Sequence, residues 1–269
     1  MIQIIPISAL TDNYIWLFKS ENTTACHIVD PGDASVVLEF LSNQKLSLES
    51  ILITHHHGDH TGGVRQLCER YKGIRVYGPN GACEQVTHVV NANETISCGH
   101  LNFRVIKTPG HTLDHIAYFA DINADKGTLS YPILFCGDTL FAGGCGRLFE
   151  GTAAQMHQSL RKISSLPATT KIYCAHEYTC ANLKFALAVE PNNKSTKNRL
   201  QASITKRNNH KPTIPSLLSE ELDTNPFLRV SKPSVIHAAN KKLPSTCTTE
   251  TDEQVFSIIR QWKDHFTNV

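Results

Sequence analysis

The run Thr54-His55-His56-His57-Gly58-Asp59-His60 follows directly on the apolar stretch Ile51-Leu52-Ile53. His55 and His57 are two residues apart, so in extended chain their side chains point the same way and can share one metal, while His56 points away. Gly58 allows a turn, after which Asp59 and His60 can reach a second metal beside the first. Val64, Leu67, Cys68 and Tyr71 recur at helical spacing and predict a helix just beyond. The positive end of its dipole would then favour a bound anion or hydroxide. A tag is not expected this far inside a chain, between a strand and a helix.

Three more ligand types each close a strand-like run: His111 after Arg104–Gly110, Asp138 after Ile133–Gly137, and His176 after Lys171–Ala175. Singly, each reads as a turn carboxylate or a hydrogen-bonded histidine. Together they share one context, and in layered α/β folds such strand ends gather on one edge, where sites form. His115 fits a support for a ligand and a structural residue equally well. His27, His88, His100, His157, His210, His237 and His265 have no ligand-like company.

The donors divide into His55, His57 and His111 for one metal and Asp59, His60 and His176 for the other, with Asp138 bridging. Three side chains plus a bridge leave each ion an open position, the mark of a catalytic site. Nitrogen and oxygen donors without thiolates suit two divalent ions, zinc first, with iron or manganese as alternatives. Two cations about 3.5–4 Å apart would hold a bridging water and lower its pKa towards about 7. The expected chemistry is hydrolysis of an ester, thioester, amide or phosphodiester by a metal-bridged hydroxide. Asp59 and Asp138 are its catalytic carboxylates, with Asp59 orienting the hydroxide.

These residues need a scaffold. Ile2–Ile7, Tyr14–Phe18 and Ala25–Val29 read as strands, the last ending in the turn Asp30-Pro31-Gly32; Ile74–Tyr77 and Leu101–Ile106 are further strands. Val36, Val37, Phe40 and Leu41 predict a helix between strands. Interleaved strands and helices imply an α/β layered domain, and the early run of consecutive strands argues against a purely parallel sheet. From Tyr178 the character changes. Leu183, Ala186, Leu187 and Val189 look helical, Asn192–Asn209 is polar, and Pro212 and Pro215 mark a connector. Thr251 and Gln254 form a capping box for a last helix carrying Val255, Ile258, Ile259, Trp262 and Phe266. The reading is two domains, 1–175 with the metal centre and 176–269 helical.

With 269 residues, 41% of them apolar and 19% charged, the chain reads as an ordinary soluble globular protein. A net charge of +2 with no basic run argues against nucleic acid. No apolar run approaches the roughly 20 residues of a membrane span, and the start lacks a signal-peptide pattern. Nine cysteines without a Cys-x-x-Cys pair point to reduced thiols in the cytoplasm. A monomer is expected, since no terminal segment reads as a spare interface.

The Thr-His-x-His-x-Asp-His signature, with His111, Asp138 and His176 downstream, resembles the metallo-β-lactamase superfamily. Further motifs narrow it: Thr11-Asp12-Asn13-Tyr14, Cys136-Gly137-Asp138-Thr139-Leu140-Phe141, Gly144-Cys145-Gly146-Arg147, His176-Glu177-Tyr178-Thr179 and Asn225-Pro226-Phe227-Leu228-Arg229. With these the chain resembles the hydroxyacylglutathione hydrolase (glyoxalase II) family over nearly its full length. The resemblance implies an αβ/βα four-layer sandwich with a C-terminal α-helical domain. It also implies the substrate, S-D-lactoylglutathione, cleaved to D-lactate and glutathione in the second step of methylglyoxal detoxification. It places Arg147, Tyr178, Arg260 and Lys263 at the glutathione, and Phe149 where relatives often carry tyrosine. Arg260 and Lys263, three apart, share a helical face.

Three alternatives compete. A lactonase or β-lactamase of the superfamily shares the two-metal core, but not the C-terminal domain or the Arg147 loop. A mononuclear iron persulfide dioxygenase uses one iron, whereas Asp59, His60 and His176 complete a second set. A metal-dependent nucleic-acid or protein-binding module does not fit the charge.

Overall fold

In the computed structural model, which describes residues 1–121, 129–244 and 247–267, the chain forms two units that interleave along the sequence. One comprises Met1–Lys107, Asp114–Gly137 and Tyr173–His176; the other comprises Thr108–Leu113, Asp138–Ile172 and Glu177–Val269.

The first unit opens with three antiparallel neighbours, β1 (Ile2–Ala9), β2 (Asn13–Ser20) and β3 (Ala25–Val29). Helix α1 (Ala34–Gln44) carries the chain across to β4 (Ser47–Leu52), which runs parallel to β3. After α2 (Gly58–Thr61) and α3 (Val64–Arg70), β5 (Arg75–Gly78) and β6 (His88–Val89) extend the parallel half, in the order β1-β2-β3-β4-β5-β6. Short turns join the antiparallel pairs β1–β2 and β2–β3, and helical crossovers join the parallel pairs β3–β4 and β4–β5. Asp33 caps α1 by accepting from the Ser35 N–H. One face of α1 and α3 buries Val37, Leu41, Val64 and Leu67 with Ile15, Leu17, Ile28 and Ile51 of the sheet.

A second sheet holds β7 (Thr95–Cys98), β8 (Leu101–Lys107), β9 (Ile116–Ala120) and β10 (Ile133–Gly137), with the strand Lys171–Cys174 beside β10. Strands β9 and β10 are buried throughout, as their unbroken apolar sequences require. The two sheets meet face to face through aromatic rings. Phe18 lies 5.4 Å from Phe103 and 5.7 Å from Phe135, and Trp16 lies 4.9 Å from Tyr173. Each such buried ring is worth about 1.5–3 kcal/mol in transfer alone.

In the second unit β11 (Leu140–Phe141) and β12 (Gly144–Cys145) make a two-residue ribbon. Its turn needs Gly143, whose φ is +69°. Helix α4 (Ala153–Ser164) starts at a Thr152–Gln155 capping box. The strand Lys171–Cys174 is β13, and its residues Lys171 and Ile172 pair with β14 (Ser216–Leu217). Helices α5 (Thr179–Val189), α6 (Lys194–Asn208), α7 (Leu218–Thr224), α8 (Pro233–Asn240) and α9 (Asp252–Asp264) follow, with a 3-10 turn at Pro226–Leu228. The capping box predicted for α9 is present. Its buried stripe is rotated from the expected one. Phe256 and Arg260 are buried with Val255 and Ile259, whereas Ile258, Trp262 and Phe266 are half-buried. The aromatic surface of Phe227 draws Phe256 inward (5.6 Å) and receives the Arg260 guanidinium (5.0 Å).

Candidate metal centre

Just past the end of β4, Thr54 fixes the start of the histidine run. Its N–H and hydroxyl both donate to the Asp30 carboxylate, at 2.8 and 2.7 Å. The hydroxyl proton is thereby used, so a lone pair on the same oxygen accepts the Nδ1–H of His55 at 3.0 Å. His60 Nδ1 donates to the same Asp30 at 3.0 Å, and His176 Nδ1 donates to Asp12 at 2.8 Å. All three rings are oriented by one nitrogen and present Nε2. Ligating histidines are held in this way, with the tautomer set by the partner of the other nitrogen.

Helix α2, with His57 at its N-cap, carries Asp59 and His60. Nε2 of His60 and Nε2 of His176 each lie 3.4 Å from Asp59 Oδ2. Two donors bound about 2.0–2.1 Å from a tetrahedral zinc stand about 3.3–3.4 Å apart. Asp59, His60 and His176 therefore form a three-donor group whose spacing and chemistry fit a divalent cation. Asn13 Nδ2 also donates to Asp59 Oδ2, at 3.0 Å. Burial acts to raise the pKa of Asp59, but the rings of His176 and His60 and the Asn13 amide beside it more than offset it. The carboxyl is held well below the usual carboxylate range. The absence of a side chain at Gly32 makes room for this turn, since a Cβ there would lie 1.9 Å from the Asp59 carbonyl oxygen. The His115 ring stacks on His55, centroids 4.7 Å apart, and His56 turns to Asp114 at 3.0 Å.

In the second unit, His111 Nε2 lies 3.4 Å from Asp138 Oδ2, the same donor spacing. His111 Nδ1 donates to the Arg147 carbonyl at 2.8 Å, and the Phe149 ring meets His111 edge-on at 5.2 Å. Gly146 is confined here, because a Cβ would come 2.0 Å from the Asp138 carbonyl oxygen.

The five residues expected at glutathione differ in surroundings. The Arg147 side chain is 62% exposed and lies 3.5 Å from Asp264; Phe149 is exposed as well. Tyr178 stands at the entry to α5 with its ring against Phe141 at 5.2 Å. Lys263 is half-buried over the rings of Phe185 and Phe266. Burial, then the charge of Arg260, lowers its pKa from 10.5 to about 8. Arg260 is buried and already engaged, donating Nη1 to the Cys145 carbonyl at 3.0 Å and Nη2 to Asp264 at 3.1 Å.

Sequence reasoning assigned no role to Asp12, Asn13, Asp30 or Thr54, which orient the ligand candidates. Asp12 and Asn13 belong to the Thr11-Asp12-Asn13-Tyr14 motif. In sequence Asp30 reads as a turn residue ahead of Pro31-Gly32, yet it is buried directly after β3. A carboxylate at such a place requires donors.

Two family matches partition the chain: the metallo-beta-lactamase superfamily over residues 10–176 and the hydroxyacylglutathione hydrolase C-terminus over residues 177–266. A hydroxyacylglutathione hydrolase of Chromohalobacter salexigens is 46% identical over 267 residues, covering 99% of this chain and 100% of its own. That of Pseudomonas aeruginosa is 47% identical over 268 residues, with the same coverage. Among solved structures, the B3 metallo-beta-lactamase BLEG-1 superposes with a TM-score of 0.62 at 22% identity, over 85% of this chain and 99% of its own. That likeness shows the fold, a metallo-β-lactamase αβ/βα sandwich, to which this chain adds a helical C-terminal region. Among the described residues no helix is long and apolar enough to cross a membrane. The superfamily and the donor groups together indicate use of divalent metal. Relatives of this identity over the whole length, and a C-terminal match specific to them, leave one placement: the chain belongs to the hydroxyacylglutathione hydrolase family.

Proposed function

We propose that this enzyme hydrolyses S-D-lactoylglutathione and related S-2-hydroxyacylglutathiones to the 2-hydroxy acid and glutathione, the second step of methylglyoxal detoxification. Full-length relatives named hydroxyacylglutathione hydrolase support the substrate class. The observation that carries the chemistry is the Asp59–His60–His176 group, with both histidines oriented through Nδ1.

His55, His57 and His111 would hold one divalent ion and Asp59, His60 and His176 a second, with Asp138 shared. Zinc suits the donors best, and iron or manganese are the alternatives. Such ions supply an acidified water and a polarised thioester carbonyl. The ionised Asp59 accepts a hydrogen bond from the attacking water and fixes its direction. Attack forms the C–O bond and breaks the C–S bond. The departing thiolate, whose acid has a pKa of about 8.5, needs little help from a general acid.

Glutathione carries two carboxylates and one ammonium. Arg147 and Lys263 would meet the carboxylates, with Arg260 adding positive charge behind them, while Tyr178 offers a hydroxyl and Phe149 a ring face. Residues 1–175 form the metal-hydrolase domain and 176–269 the glutathione-binding domain in this reading. Nine cysteines without a Cys-x-x-Cys pair suit the reducing, cytoplasmic setting of this reading. A monomer acting on a small molecule, without nucleic acid or membrane, completes the assignment.

The test is hydrolysis of S-D-lactoylglutathione by purified protein, with metal content determined on the same sample. Turnover with close to two metals per chain, lost on chelation and in Asp138→Ala, is the expected result. A fully metallated protein without turnover would refute the substrate. One iron per chain with turnover of a persulfide would replace the reading with a dioxygenase.

A further inference from the structure

The β11–β12 ribbon has only two cross-strand pairs, Leu140 with Cys145 and Phe141 with Gly144. A ribbon that short does not hold itself. Four buried polar side chains from the helical region converge on it instead. Glu221 Oε2 accepts the Gly143 N–H at 2.8 Å, and Asn182 Nδ2 donates to the Ala142 carbonyl at 3.2 Å. Asn225 Nδ2 donates to the carbonyls of Phe141 and Gly144, at 3.2 and 2.9 Å. Arg260 Nη1 donates to the Cys145 carbonyl at 3.0 Å.

The clamp is itself held. Arg199 Nη2 donates to Glu221 Oε1 at 2.5 Å, and its Nη1 donates to Thr224 Oγ1 at 2.6 Å. Asn225 Oδ1 accepts the Phe227 N–H at 3.1 Å. Glu221 and Asn225 are therefore fixed at both ends, and both are fully buried. Such networks rigidify what they touch when every group is satisfied.

The ribbon leads straight to two ligand candidates. Asp138 lies two residues before it and Arg147 two residues after it, and the Gly146 N–H closes its open end onto the Thr139 carbonyl at 3.1 Å. The Arg147 carbonyl takes the His111 Nδ1–H, and His111 Nε2 faces Asp138 Oδ2. A shift of the ribbon thus moves the Asp138 carboxylate and the acceptor that sets the His111 tautomer together.

We propose that Glu221 and Asn225 are positioning residues of the metal centre, acting through the ribbon on Asp138 and His111. Arg260 belongs to the same clamp. The inference rests on reading His111 and Asp138 as ligands, so the wild-type chain is measured alongside the variants. Asn225→Asp keeps the acceptor for Phe227 but replaces two donated N–H groups with a carboxylate facing carbonyls. Glu221→Gln keeps the shape and removes the charge opposite Arg199.

Metal affinity is measured by chelator competition on folded protein, together with kcat and KM for S-D-lactoylglutathione at several metal concentrations. Both variants are expected to bind metal about tenfold or more weakly, as partners of ligands do when removed. Turnover at limiting metal should fall with affinity and recover as metal is added. Asn182→Ala, which removes a single N–H, decides the matter if the others do not fold. It should weaken metal binding about two- to tenfold. Folded variants that hold metal as tightly as wild type, or that change KM alone, overturn the proposal. A wild-type chain that binds no metal overturns the ligand reading along with it.

Discussion

Asp12 accepts the Nδ1–H of His176 at 2.8 Å, joining residues 164 positions apart in the sequence. The contact sets which nitrogen of His176 faces Asp59, and it makes the loop after β1 part of the centre. Asp12→Ala is expected to weaken metal binding about 10–100-fold, the usual cost of losing such a partner. Metal titration against a chelator checks this, and an unchanged affinity would exclude Asp12 as the orienting group.

Asp30 serves two of the proposed ligand histidines, His60 directly and His55 through the Thr54 hydroxyl. It does so from a left-handed backbone conformation, φ +52°, which asparagine tolerates well. Asp30→Asn therefore removes the charge without straining the chain. Its loss of metal affinity should exceed that of Asp12→Ala. In the Asp30→Asn and Thr54→Val pair the losses should be less than additive, because they act on one network.

Acid should inactivate through the histidines and not through Asp59. A carboxyl whose folded pKa is depressed contributes stability that is present above about pH 4 and lost only as pH falls through the folded value. Unperturbed histidines charge near pH 6.5, and a charged ring cannot ligate. Metal content and turnover are expected to fall together below about pH 6, with far-UV circular dichroism unchanged there. Full activity with metal retained at pH 5 would contradict the ligand set.

Lys263 carries an unneutralised cost. Burial first, and Arg260 second, bring its pKa to about 8. Charging it is harder in the folded chain, so the penalty is complete below pH 8 and vanishes as pH rises towards 10.5. Lys263→Met should raise the Tm of the free protein at pH 7. The same substitution should raise KM for the glutathione thioester about tenfold, the worth of a charge-assisted hydrogen bond. In the wild type KM should climb above pH 8, a climb the variant should lack. A variant with unchanged KM would remove Lys263 from the substrate site.

The strands that lead to the proposed ligands were legible from their apolar runs: β4, β10 and β13 stop just short of His55, Asp138 and His176. The antiparallel half of the first sheet was legible in the early run of consecutive strands, β1 to β3. Helix α4 was not recognised, although its Thr152–Gln155 box has the same signature as Thr251–Gln254. Residues that act on distant partners were the hardest to read. Asp12 and Asp30 look like ordinary loop carboxylates until the chain brings histidines to them. The burial of Arg260 depends on a carbonyl 115 residues away, and helical spacing carries no trace of it.

The clamp also bears on how this chain can be recombined. The boundary between its two family matches falls at residues 176 and 177, an inviting place to exchange C-terminal regions among relatives. Yet Asn182, Glu221, Asn225 and Arg260 all reach back across that boundary to the ribbon at residues 140–145. A chimera joined there inherits a ribbon matched to someone else's clamp. Working hybrids should therefore be those that transfer the ribbon together with the helices that grip it.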